Sequence, residues 1–91
     1  MSNPARGEVT LDAGGETHTL CLTLGALAEI EAGLGVSGFA AMAERLKTLS
    51  AADLSLVLAA LLRGGGTVVD VPTIDPVCAA KAVADCFERA L

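Results

Sequence analysis

Gly7-Glu8-Val9-Thr10-Leu11-Asp12-Ala13-Gly14-Gly15-Glu16-Thr17-His18-Thr19-Leu20-Cys21-Leu22 decides the fold class. Two short alternating runs flank a glycine pair, and glycine tolerates the positive φ that a tight hairpin turn requires. A two-residue turn at Gly14-Gly15 pairs Ala13 with Glu16, Leu11 with His18, Val9 with Leu20 and Gly7 with Leu22. Val9, Leu11, Leu20 and Leu22 then share one face, while Glu8, Thr10, Asp12, Thr17, Thr19 and Cys21 share the other. A one-residue slip would mix the two sets, so the register is self-consistent. His18 falls at the turn end of the apolar face and is expected to be partly exposed there.

Beyond Leu22 the period changes from two to 3.6. Thr23 is placed to cap a helix from Leu24 to about Leu34, with Gly33 and Gly35 as stop signals. Leu24, Leu27, Ala28, Ile30 and Leu34 form its apolar arc, and Glu31 falls inside it. A buried unpaired carboxylate is costly. Glu31 must therefore reach past the core to water, pair with an arginine such as Arg63, or meet a partner. Ser37 opens a second helix to about Leu49, with Phe39, Met42, Ala43, Leu46 and Leu49 on one face. Ser50 and Asp53 have capping-box spacing ahead of a third helix, to Arg63, that is apolar almost all round. Such a helix is central or faces another chain. Gly64-Gly65-Gly66 follows its C-terminus, which reads as a cap and hinge; a phosphate cradle would precede a helix N-terminus. Thr67 to Ile74 reads as an extended loop with a short strand at Val68-Val69. Asp75-Pro76 starts a last helix with Val77, Ala80, Val83, Ala84, Phe87 and Leu91 inward and Cys78 on the polar side. The expectation is an α+β single domain over 1–91, with a β-hairpin (7–22) followed by a bundle of about four α-helices (23–91).

Composition agrees. The 91 residues are 53% hydrophobic and 19% charged, which is too apolar for a disordered chain. Phe39 and Phe87 are the only aromatics, so the core is built from the 14 Leu and 17 Ala with a few Val and Ile. A core this small makes self-association or a partner a natural source of extra support. The net charge of -5, with basic residues scattered and stacking platforms few, argues against a nucleic-acid ligand. The longest apolar candidate, Leu54 to Leu62 broken by Ser55, falls well short of the roughly 20 residues a bilayer demands, so no membrane span is expected. Three cysteines without a signal segment fit a reducing, cytoplasmic setting.

Chemistry-bearing patterns are sparse. Cys78 and Cys86 are separated by about 12 Å of helix and cannot bridge. Cys21, Cys78, Cys86 and His18 lack the spacing of a zinc site. Glu29 and Glu31 point about 200° apart on a helix. Phosphate-binding glycine loops and metal-protease motifs are missing. The expectation is therefore a non-enzyme with no catalytic residue, cofactor or metal. Acyl carrier proteins are also small, acidic and helical, and carry their prosthetic-group serine in an Asp-Ser-Leu motif. Here Asp53-Leu54-Ser55-Leu56 inserts a residue and places Ser55 inside the helix, and the hairpin has no place in that fold.

Three stretches carry a more specific likeness: Asn3-Pro4-Ala5-Arg6-Gly7-Glu8-Val9, Leu20 to Glu31 with Leu22-Thr23-Leu24-Gly25-Ala26-Leu27-Ala28-Glu29 at its heart, and Leu61-Leu62-Arg63-Gly64-Gly65-Gly66. Together they resemble the small tail assembly chaperones of gene transfer agents and related tailed phages of alphaproteobacteria. The likeness covers most of residues 3 to 66. It implies a non-enzymatic role: binding the long apolar tape measure protein, keeping it soluble, and leaving as tube subunits polymerise. The tail tube protein is the second partner it implies. The competing class is a generic small helical interaction or regulatory module.

The residue pattern agrees with such a role, since surplus apolar helix surface suits another helix and an acidic exterior keeps it soluble. The candidate partner-contacting residues are Leu24, Leu27 and Glu31 on the first helix, and Leu56, Ala60 and Arg63 on the third. Intact-mass spectrometry of the purified protein is expected to give the mass of the bare chain. A phosphopantetheine adduct on Ser55 would restore the carrier alternative.

Overall fold

A computed structural model of the chain describes residues 8–13, 15–66 and 74–90, with the side chains at 13, 39 and 90 excepted. Strand β1 (Glu8–Ala13) pairs antiparallel with β2 (Glu16–Cys21), and four helices follow: α1 (Leu24–Leu34), α2 (Gly38–Leu46), α3 (Ala51–Gly64) and α4 (Pro76–Ala90). The architecture is α+β, a hairpin followed by four helices. The expected strand at Val68-Val69, the Gly7–Leu22 pair and the inward place of Leu91 lie outside the described residues.

The hairpin register is the one the alternation dictates: Val9 opposite Leu20, Leu11 opposite His18 and Ala13 opposite Glu16. Gly15 takes a φ of 79°, the left-handed conformation for which glycine is suited. On the outer face the Thr17 hydroxyl donates 2.7 Å to its cross-strand neighbour Asp12. The inner face is covered, and His18 with it, at 7% exposure. The expected partial exposure is corrected because helices roof the face as far as the Leu11–His18 pair: α3 packs on β2 and α4 on β1.

Helix α3 is the centre of the molecule. Val57, Leu58, Ala60, Leu61 and Leu62 are all buried, and the helix touches α1, β2 and α4. Its last turn lies against the hairpin so closely that only glycine fits. A Cβ on Gly64 would overlap the carbonyl oxygen of Cys21, and one on Gly65 would overlap that of Thr19. In this register Thr19 and Cys21 sit in non-hydrogen-bonded pairs, so their carbonyls turn toward the outer edge of β2. The glycine run thus covers that edge as well as ending the helix.

The caps read from sequence are made where they are local. Thr23 Oγ1 accepts from the Ala26 N–H at 3.1 Å, Ser50 Oγ from the Asp53 N–H at 3.1 Å, and Asp75 Oδ2 from the Cys78 N–H at 3.0 Å. The reciprocal half of the Ser50 capping box is replaced, because the Asp53 carboxylate turns to the guanidinium of Arg45. Ser37 precedes α2 without a side-chain cap. The carboxylate of Glu31 takes that place, accepting from the Gly38 N–H at 2.7 Å. An anion there also suits the positive end of the helix dipole. Helix α2 ends at Leu46, short of the expected Leu49, which lies beyond the helix and packs half-buried against the core.

Two helix faces differ from their expected settings. In α1 the buried residues are Ala26 and Ile30, with Leu27 and Leu34 partly buried, while Leu24 is 83% exposed and Ala28 is exposed. In α4 the inward set is Ala79, Ala82, Val83, Cys86 and Phe87, and Val77 stands 74% exposed with Ala80 and Ala84 open beside it. The buried stripe of α4 is turned by roughly one residue, about 100°, from the expected one. Cys86 acts as a small apolar side chain and Ala79 and Ala82 allow close approach, so this stripe suits packing on β1.

Leu61→Ala, at a fully buried site in α3, is expected to cost about 2–5 kcal/mol in urea unfolding. Gly65→Ala is expected to lower the unfolding midpoint as well, whereas Ser55→Ala, on the exposed side of α3, leaves it nearly unchanged.

Candidate docking groove

The six residues chosen from sequence as partner contacts fall mainly along the seam between α1 and α3, and most are engaged within the molecule. Leu56 is half-buried over Gly33, where a Cβ on α1 would strike its methyl groups. Leu27 packs against the core from the α1 side. Ala60 has 0% exposure, so it serves the core and offers no surface to a partner. Arg63 is exposed and makes a forked ion pair across the seam, its Nε 3.1 Å from Glu29 Oε2. The arginine thus meets Glu29, not Glu31. Because the buried face of α1 centres on Ala26 and Ile30, Glu31 lies at its margin and turns to cap α2, while Glu29 faces Arg63. Of the six, Leu24 is the one large apolar side chain left in water.

Hydrogen bonding to Arg63 keeps the Glu29 carboxyl below the usual carboxylate range, and the same contact raises Arg63. The Cys78 N–H at the start of α4 lowers Asp75, and Asp75 in turn pushes the Cys78 thiol up. Burial raises Cys86 to about 11. Activated cysteines are shifted the other way. Among the described residues no cluster of His, Cys, Asp and Glu could hold a metal ion, and no helix is long and apolar enough to cross a membrane.

A surface hollow with room for a ligand lies elsewhere. An open groove of about 550 Å³ runs between α2 and α4, floored by the start of α3. Ala43 and Leu46 of α2, with Leu49 just after it, form one wall. Ala80, Val83, Ala84 and Phe87 of α4 form the other, and Leu54 lies between them. Lys47 and Glu88 are its charged members, one on each wall. The groove can bind apolar surface and orient it by charge.

The sequence reading missed this groove, although its signal was present. Helix α4 carries more apolar positions than one buried stripe uses, and Val77, Ala80 and Ala84 are the surplus. On α2, Ala43 likewise faces water beside half-buried Leu46.

A family model described as phage tail tube protein, GTA-gp10, matches residues 6–90. No curated protein and no solved structure matches the chain.

The pH dependence of the α1–α3 seam follows from Glu29. Its depressed folded pKa contributes stability that is fully present above the ordinary value of 4.5 and is lost as pH falls through the lower folded value. In urea titrations across that range, wild type is expected to lose its advantage over Glu29→Gln as the solution is acidified. An advantage that stays constant with pH would contradict the pairing.

Proposed function

The chain belongs to the phage tail tube protein, GTA-gp10, family, and from that premise we propose that it is a non-enzymatic assembly chaperone which binds the tape measure protein while a phage-like tail is built. The observation that carries this reading is the open apolar groove between α2 and α4 on a body of net charge -5. A long apolar helical protein aggregates unless its hydrophobic stripe is covered. A small acidic protein with a spare apolar groove covers it while adding charge that keeps the complex dispersed. Release as tube subunits arrive calls for modest affinity per molecule, which suits a groove of this size better than a full core-like interface.

The wording of the family description favours a second reading, in which the protein is itself a tube subunit. Polymerisation then needs two complementary surfaces that repeat from copy to copy. Extension of the hairpin into a larger sheet through β2 is opposed by the Gly64–Gly65 run lying along that edge. A tube subunit with this fold would polymerise through other surfaces than the β2 edge.

Co-expression separates the two. A chaperone is expected to raise the soluble fraction of the tape measure protein and to co-purify with it, and to stay in small assemblies alone. Tubes in electron micrographs of the isolated protein, with no effect on the solubility of the tape measure protein, would establish the second reading instead.

A further inference from the structure

We infer that the α2–α4 groove receives a single amphipathic helix of the partner, laid along α4, and that Lys47 and Glu88 set its orientation; this deepens the chaperone reading and rests on it. The groove follows α4 from Ala80 to Glu88, a span of about 12 Å or roughly two turns. Val77, one turn before Ala80 on the same side and 74% exposed, continues the apolar stripe past the groove. Two small residues on α4, Ala80 and Ala84, stand opposite Ala43 of α2, leaving room for branched side chains at i, i+3 or i+4, and i+7 of an incoming helix.

Size and charge choose this occupant over a second copy of the chain. The groove is lined by about ten residues, whereas a stable interface between two folded proteins uses roughly 20–30 residues a side. The two walls carry opposite charge, with Lys47 on the α2 wall and Glu88 on the α4 wall. A bound helix with acidic residues on one flank and basic residues on the other is therefore seated in one direction, its acidic flank over Lys47 and its basic flank over Glu88. The Lys47–Glu44 pair leaves both side chains largely in water, so Lys47 can be shared with a ligand carboxylate at small cost.

The test measures binding of the full-length tape measure protein to wild type, Ala84→Asp, Ala80→Asp and Glu88→Lys, with Ala52→Asp on the exposed start of α3 as control. Positions 80, 84, 88 and 52 are exposed, and thermal unfolding of each variant checks that the fold is kept. The expected result is a loss of about tenfold or more in affinity for each aspartate variant in the groove. Glu88→Lys is expected to give a smaller loss that shrinks at high salt, and Ala52→Asp no change. Undiminished binding by both Ala84→Asp and Ala80→Asp, with wild type binding, overturns the groove and leaves the chaperone reading standing. Failure of wild type to bind overturns the chaperone reading itself. A change from dimer to monomer in Ala84→Asp, with capture of the tape measure protein unaltered, overturns the groove in favour of self-association.

Discussion

The close seating of α3 against the hairpin is the constraint on which the rest of the structure depends. A two-stranded sheet is not stable alone, and its apolar face must be covered by something. Helix α3 meets β2 and α4 meets β1, so the face of Val9, Leu11, His18 and Leu20 is closed. That contact is possible because the last turn of α3 ends in glycines, whose missing Cβ atoms make room for the Thr19 and Cys21 carbonyls. With the end of α3 pinned there, its apolar circumference serves as the shared core for α1 and α4.

Around this core the charges are used as fasteners between neighbouring elements. Arg63 of α3 holds Glu29 of α1, Arg45 of α2 holds Asp53 of α3, and Glu31 of α1 caps α2. Helix α2 is thus tied at its start to the end of α1 and at its end to the start of α3. Met42 anchors it in the core with 0% exposure. Its Ala43 and Leu46 face α4 across open space, and the groove is the consequence.

Membership of the GTA-gp10 family places the protein among phage-tail-related proteins, and the fold gives it an open apolar groove. The apolar residues that α4 does not bury give that surface its character. A helix whose second apolar stripe were buried would leave no groove. Asp75 and burial push Cys78 and Cys86 away from the thiolate form.

The alternation around Gly14-Gly15, with the side-chain caps at Thr23, Ser50 and Asp75, was enough to determine the strand register and the starts of α1, α3 and α4, because these depend on residues within a few positions of each other. The pattern of α3, apolar nearly all round, left it either central or facing another chain, and the packing of α1, β2 and α4 on it made it central. Tertiary structure alone decided which stripe of α1 and α4 turns inward. Each helix carries apolar residues over more than one face, and neighbouring stripes differ by a rotation of about 100°, which local patterning cannot choose between. The same rotation made Glu29 the partner of Arg63 and Glu31 the cap of α2. On α4 it left Ala80 and Ala84 lining the groove, while Ala60 is buried because α3 is packed by α1, β2 and α4 together. Partner choice across helices is set by where each helix axis comes to rest, and that follows from packing of the whole core.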